Sequence, residues 1–279
     1  MNELIDPLLL VLPPGRPAQP LERVSAEWIA VRPSIENRLL AALPREEYKR
    51  LLAGLEPVTM TLGEVLYEPG DPIRHVYFPG VCLVSLLTLV DQHLALEVGL
   101  VGNEGMVGIP LALGEGVSTI RALVQGEGVA MRMKSTTFLK ELRRSPHLQR
   151  ALNHYTNTLM AQVAQTAACN RFHVVEERLA RWLLMTRDRV QSNDFCMTQE
   201  FLSHMLGVRR VGITKAASAL QRHHLIRYSR GKIKILDGQG LEAAACQCYR
   251  VVKNMQDHAQ DSYSERKKRP AAAAAAAIA

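Results

Sequence analysis

Five side chains within ten positions set the chemistry: Arg209, Arg210, Thr214, Lys215 and Ser218. On a helix they fall opposite Ile213, Ala216, Ala217 and Leu220, which repeat at the spacing of an apolar inner face. Guanidinium and ammonium groups bind phosphates, and a guanidinium also offers a donor fork that matches guanine O6 and N7. A helix with that outward face fits the major groove of duplex DNA, with its N-terminal residues nearest the base edges. The surrounding charge agrees. Residues 190–236 hold eight Lys/Arg (Arg209, Arg210, Lys215, Arg222, Arg227, Arg230, Lys232, Lys234) against two acids, Asp194 and Glu200. Such an imbalance suits a polyanionic partner.

That helix needs elements to hold it. Thr198 stands where an N-cap belongs, Phe201, Leu202, Met205 and Leu206 follow at helical spacing, and Gly207 closes the first helix. Val208 fills the angle before a second helix that starts near Arg209, with Gln199 at the start of the first helix near the backbone of a bound duplex. Leu225–Tyr228 and Lys232–Ile235 then alternate with period two across Ser229, Arg230 and Gly231, a hairpin signature. A helix-turn-helix followed at once by a basic hairpin is a winged helix. Arg227, Arg230, Lys232 and Lys234 of the wing would contact flanking phosphates and add affinity without reading sequence.

The chain of 279 residues has room for two modest domains and carries a net charge of +7. The charge is segregated: residues 56–145 hold seven bases and ten acids, so the basic excess lies downstream. With aromatics at 5%, a single-strand binder built on stacked bases is disfavoured. The apolar run Leu8–Leu12 is cut short by Pro13 and Pro14, and no stretch is long enough to cross a bilayer, so a cytoplasmic protein is expected. Five scattered cysteines (Cys82, Cys169, Cys196, Cys246, Cys248) fit a reducing compartment. Cys246 and Cys248 have no second Cys or His pair near them in sequence to complete a zinc site. The expectation is that both lie on a C-terminal helix and that no metal is bound.

The fold class read from the rest is α+β. Residues 1–33 are Pro-rich without a period and read as a flexible arm. Residues 34–145 read as an antiparallel β-barrel with flanking helices, from short alternating runs such as 81–87, 94–100 and 129–133 with glycines between them. Residues 146–172 carry the longest helical pattern. Leu148, Leu152, Tyr155, Leu159, Val163 and Thr166 repeat at spacings of four and three, the seam of a coiled coil, and are expected to form a homodimer interface. Residues 173–256 form the winged-helix unit: a second helix to Arg189, a polar connection at 191–195, the helix-turn-helix, the wing and a last helix over 241–255. Residues 257–279, with the basic run Arg266–Arg269 and a string of alanines, read as a disordered tail.

The order of barrel, long helix and C-terminal winged helix is thus set before any family is considered. Together with GEVLYEPGDPIRHVYFPGVCLVSLL in the barrel and TQEFLSHMLGVRRVGITKAASALQ in the winged helix, it resembles the cyclic-AMP receptor protein/FNR superfamily of bacterial transcription regulators. The resemblance covers about residues 51–255, and GNEGMVGIPLALG and AQTAACNRFHVVEERLARWLL mark one branch of it. It implies a cyclic-nucleotide-binding-like jelly roll that senses an effector, a dimer helix, and recognition residues at Arg209, Arg210, Thr214 and Lys215. Many relatives carry an acid three residues into the recognition helix; Val211 stands there instead, offering only apolar contact.

The implied ligand pocket departs further. Cyclic-nucleotide binders follow a Gly with a Glu for the ribose and use an Arg-Ser/Thr-Ala for the phosphate. Here Ile109 and Pro110 follow Gly108, and Arg121-Ala122 lacks the hydroxyl residue. The barrel is therefore expected not to bind cyclic AMP in the usual way. A modified nucleotide pocket and a barrel that docks a protein partner remain the alternatives. An iron–sulfur sensor is excluded because no cysteine precedes Cys82, and His75, His93 and Cys82, the candidate axial ligands of a haem, read as structural residues. No phosphate loop, zincin motif, nucleophile elbow or carboxylate pair points to an enzyme. The expected partners are double-stranded DNA and a second copy of the chain, with no membrane. Activation would also need a surface for RNA polymerase, which no residue pattern singles out.

Overall fold

A computed structural model describes residues 37–90 and 95–268. The N-terminal arm, His93 and the alanine string lie outside them. Two short helices, α1 (Arg38–Ala41) and α2 (Arg45–Leu52), open the described chain. Asn37 caps α1: its Oδ1 accepts from the Leu40 N–H at 3.1 Å, while its Nδ2 donates to the carbonyls of Gly105 and Pro79.

Seven strands follow: β1 (Glu56–Met60), β2 (Val65–Tyr67), β3 (His75–Pro79), β4 (Leu83–Leu89), β5 (Ala95–Val101), β6 (Arg121–Gly126) and β7 (Gly128–Lys134), with the one-turn helix α3 (Ile109–Ala112) between β5 and β6. They pair antiparallel as one sheet of order β1-β7-β3 and another of order β2-β6-β4-β5. The inner faces of the two sheets meet over Val76, Phe78, Val84, Ala122, Val124 and Met133.

The four-stranded sheet is buried on both sides. Val84, Leu86, Ala122 and Val124 point into the barrel, whereas Leu83, Leu87, Leu100 and Leu123 join the core of the C-terminal half. This is why β4 reads as a nearly unbroken apolar run rather than an alternating one.

After β7 come α4 (Ser135–Arg144), the long α5 (Pro146–Phe172) and α6 (Val175–Val190). Helix α5 corrects the sequence reading. Leu148, Leu152 and Tyr155 are buried in the chain's own barrel core, and Leu159 packs against it. Tyr155 lies against Gly105 so closely that a Cβ there would overlap its ring. Thr166 faces α6, accepting from Arg181 at 3.0 Å, and Val163 is half-buried. The stripe from Leu148 to Leu159 thus serves the barrel, because a heptad spacing shows that a helix has a seam without showing what fills it. A second row with the same spacing, Asn153, Asn157, Met160, Ala164, Ala167 and Arg171, faces outward.

The C-terminal half continues with β8 (Asp194–Cys196), α7 (Gln199–Leu206), α8 (Arg210–Arg222), β9 (Ile226–Ser229), β10 (Lys232–Ile235), α9 (Gly238–Ala244) and α10 (Cys248–Lys268). Two further corrections arise here. The single helix expected over 241–255 breaks at Ala245, whose backbone is extended, so Cys246 lies between helices and Cys248 begins the second. That second helix runs through Lys268, beyond the point where a disordered tail was expected; it packs along α5. Among the described residues, no helix is long and apolar enough to cross a membrane.

A buried Leu cut to Ala in such a core costs about 2–5 kcal/mol. Leu152→Ala should therefore lower the unfolding free energy by that amount in a urea titration. Sedimentation should show its self-association constant unchanged; a shifted constant would return Leu152 to an interface.

Candidate nucleic-acid interface

Helix α7 begins as its sequence dictates. The Thr198 hydroxyl accepts from the Phe201 N–H at 3.1 Å. Gly207 ends it with φ of 62°, and the Val208 N–H returns to the Ser203 carbonyl at 3.0 Å. The buried guanidinium of Arg178 on α6 donates to the Leu206 carbonyl, a cation at a helix C-terminus. Leu96 of the barrel reaches Gly207: a Cβ there would lie 2.7 Å from its Cδ1. Glycine is thus required twice, for its φ and for this approach.

Helix α8 buries Ile213, Ala216, Ala217 and Leu220 against α6 and α7. Arg209 is its N-cap residue, one position before the helix starts. Arg209, Arg210, Val211, Thr214 and Lys215 are exposed, and Ser218 is half-buried. The structure brings Gln199 and Thr214 together: the Thr214 hydroxyl lies 2.8 Å from Gln199 Oε1, with the Arg210 carbonyl as a second acceptor at 3.1 Å. These two polar groups therefore engage each other across the turn in the free protein.

The wing turns through Arg230 (φ 49°) and Gly231 (φ 78°), two consecutive positive values that match the twist of a two-residue hairpin. Ile226, Ile233 and Ile235 point inward; Arg227, Lys232 and Lys234 point out. Sequence reasoning missed the third strand of this sheet. β8 pairs with β10, Phe195 opposite Ile233 and Asp194 opposite Lys234. Its apolar signal is one buried phenylalanine, too short a run to separate from a connection. Lys234 forms an ion pair with Asp194 at 3.6 Å, whereas Arg209, Arg210, Lys215, Arg230 and Lys232 form none among the described residues.

The candidate ligand residues stand apart from this face. Gly108, with φ of 105°, precedes α3, and a Cβ there would meet Val76 Cγ1 at 3.0 Å. Arg121 Nε is paired with Glu68 at 2.8 Å. His75 is half-buried, and its pKa is lowered, first by burial. Cys82 is buried in the barrel core, and burial pushes its thiol up to about 12.

A polar network joins barrel and winged helix where the shared sheet meets α6. Trp182 Nε1 donates to Glu97 Oε1 at 2.9 Å. Ser85 Oγ lies 2.7 Å from Glu97 Oε2 and also contacts Gln125 Oε1. Burial raises Glu97 to about 7, against the hydrogen bonds from Ser85 and Trp182. Beside it, Arg189 on α6 donates to Glu104 at 2.8 Å, to Gln162 of α5 at 3.0 Å and to the Met185 carbonyl at 3.0 Å.

Comparison with known proteins fits this architecture. Residues 177–244 match the model of the Crp-like helix-turn-helix domain. The chain is 26% identical over 204 residues to the transcriptional regulatory protein btr of Bordetella pertussis, covering 67% of this chain and 80% of that protein. Among solved structures, a transcriptional regulator of the crp/fnr family from Eubacterium rectale shares the fold with a TM-score of 0.57 at 19% identity, covering 75% of this chain and 99% of that one. The c-di-GMP responsive global regulator CLP of Xanthomonas campestris gives 0.58 at 16%, covering 70% and 100%. A helix-turn-helix of this kind is the DNA-binding domain of a transcription regulator. Residues 177–244 are thus a Crp-like helix-turn-helix domain, and the chain as a whole is similar to transcriptional regulators of the Crp/Fnr kind.

Glu97 makes stability depend on pH. Its carboxyl stays protonated in the folded chain up to about 7, whereas the unfolded chain loses that proton near 4.5. Its contribution to stability therefore falls as pH rises between those values and is constant above them. Glu97→Gln should flatten the pH dependence of the unfolding free energy across this window, and Trp182 fluorescence should titrate in the parent and not in the variant. A parent fluorescence that is flat through pH 7 would remove Glu97 from this role.

Proposed function

We propose that this regulator binds DNA as a homodimer, reading inverted half-sites with two copies of α8, and that it acts through this binding rather than as an enzyme. The observation that carries the reading is a group of exposed cations, Arg209, Arg210, Lys215, Arg230 and Lys232, that form no ion pair among the described residues and lie on α8 and the tip of the wing. Arg210 and Lys215 face base edges, and Thr214 and Gln199 exchange their mutual hydrogen bond for contacts to the duplex. Arg209 and Ser218 border the same groove. Arg230 and Lys232 hold flanking phosphates. Val211, 58% exposed, offers apolar contact suited to a thymine methyl.

The outward row of α5 supports the dimer. Met160 is 67% exposed, and Ala164 and Ala167 are small enough to let two helices approach closely. Two α8 helices related by that axis would meet successive major grooves roughly 34 Å apart. The division into barrel over 34–145, dimer helix over 146–172 and DNA-binding unit over 173–256 follows from the same reading. The pairing of Arg121 with Glu68 and the tight packing at Gly108 support a barrel that does not hold cyclic AMP in the usual way.

Capture of genomic fragments identifies the site, and two variants then test the roles. Arg210→Ala should lose about 1–3 kcal/mol on the preferred site and relax base preference. Lys232→Ala should weaken all sequences alike and reduce the salt slope by about one. Parental binding by both variants would overturn the assignment of this face.

A further inference from the structure

Three of the five cysteines, Cys169, Cys246 and Cys248, form a buried cluster of their own, separate from both hydrophobic cores. His173 completes it. The four ligand atoms all lie within 4.8 Å of one another. Cys169 Sγ is 3.5 Å from Cys246 Sγ, and Cys248 Sγ is 3.5 Å from His173 Nδ1. A tetrahedral zinc ion with Zn–S bonds of about 2.3 Å has ligand–ligand edges of roughly 3.8 Å. The four atoms therefore already stand close to the corners of such a tetrahedron. A polynuclear cluster would hold ligands of different metal atoms further apart.

The placement follows from the backbone. Cys169 and His173 are four apart at the end of α5, so they share one face of the last turn. Cys246 lies in the break between α9 and α10, Cys248 opens α10, and their thiols meet α5 at Cys169 and Gln165. The sequence separates the two pairs by 77 positions from Cys169 to Cys246, which is why spacing alone did not suggest a site.

The surroundings suit thiolates. Gln165 Nε2 donates to Cys248 Sγ at 3.0 Å, an outer contact of the kind that orients metal ligands. The Arg181 guanidinium lies close enough to act on the charge of Cys169. Three thiolates, a neutral imidazole and a divalent ion leave one net negative charge, which the nearby arginine offsets.

We propose that Cys169, His173, Cys246 and Cys248 form a structural zinc site that clips the end of α5 to the elbow between α9 and α10. Binding displaces the thiol protons to solvent and involves no change of oxidation state. The two ligand pairs bracket the DNA-binding unit, one just before α6 and one just after α9. The ion would therefore fix both ends of that unit on the long helix. This inference is independent of which bases α8 reads.

The test uses the full-length chain, purified with zinc present and without chelator. Metal analysis should find one zinc per chain that survives dialysis. Cobalt exchanged into the same protein should give the intense visible bands and thiolate charge-transfer absorption of a tetrahedral sulfur-rich site. Cys246→Ser and Cys248→Ser should each lose the bound ion, whereas Cys196→Ser, which alters an exposed cysteine elsewhere, should keep it. Should the serine variants fail to fold, thiol alkylation of the parent decides: the cluster cysteines should react only after a chelator strips the ion. Absence of zinc and cobalt uptake, an octahedral cobalt spectrum, or alkylation that is indifferent to chelator would each overturn the proposal. So would a Cys169–Cys246 disulfide, mapped in freshly purified protein, that blocks cobalt uptake.

Discussion

The structure depends on one sheet buried on both faces. The β2-β6-β4-β5 sheet supplies one wall of the barrel with its inner side chains and seats α6 with its outer ones. Leu83, Leu87, Leu100 and Leu123 sit in the same cluster as Leu179, Leu183 and Ile213. Fully burying an aliphatic side chain of that size contributes about 1.5–3 kcal/mol, so barrel and winged helix are held as neighbours by their cores. Removing either half would leave the other with an exposed apolar face.

Polar groups within that junction give it direction as well as adhesion. Buried polar atoms tolerate few arrangements, since each lost partner costs about 1–3 kcal/mol. Arg189 is satisfied by Glu104 after β5, by Gln162 of α5 and by a carbonyl of its own helix, Trp182 by a barrel carboxyl, and Arg178 by the last turn of α7. A shift of the barrel strands against α6 would have to re-partner these groups. The network thus lies where a change of state in the barrel would reach the helix-turn-helix, and Leu96 against Gly207 adds a direct steric contact to the same path.

The helix-turn-helix was the most legible part of the chain. Its signals are local: a cap at Thr198, a left-handed glycine at 207, an apolar repeat from Ile213 to Leu220 and a turn at Arg230-Gly231. Each depends on residues within a few positions, so each could be read without knowing the neighbours. Strand β8 failed that standard, because it exists only through pairing with β10. The stripe on α5 failed differently. Its period was correct, but two rows of the helix share that period, and barrel packing took the more apolar one.

By itself the sequence determined the order of barrel, long helix and winged helix, the basic face of α8 and the wing hairpin, because periodicity, capping and charge are properties of neighbouring residues. Only the tertiary structure decided which row of α5 the barrel covers, that Glu97 is enclosed against Trp182, and that Cys169 and His173 meet Cys246 and Cys248. Those outcomes join residues tens of positions apart. Contact across such distances is fixed by how whole elements pack, which no local pattern records.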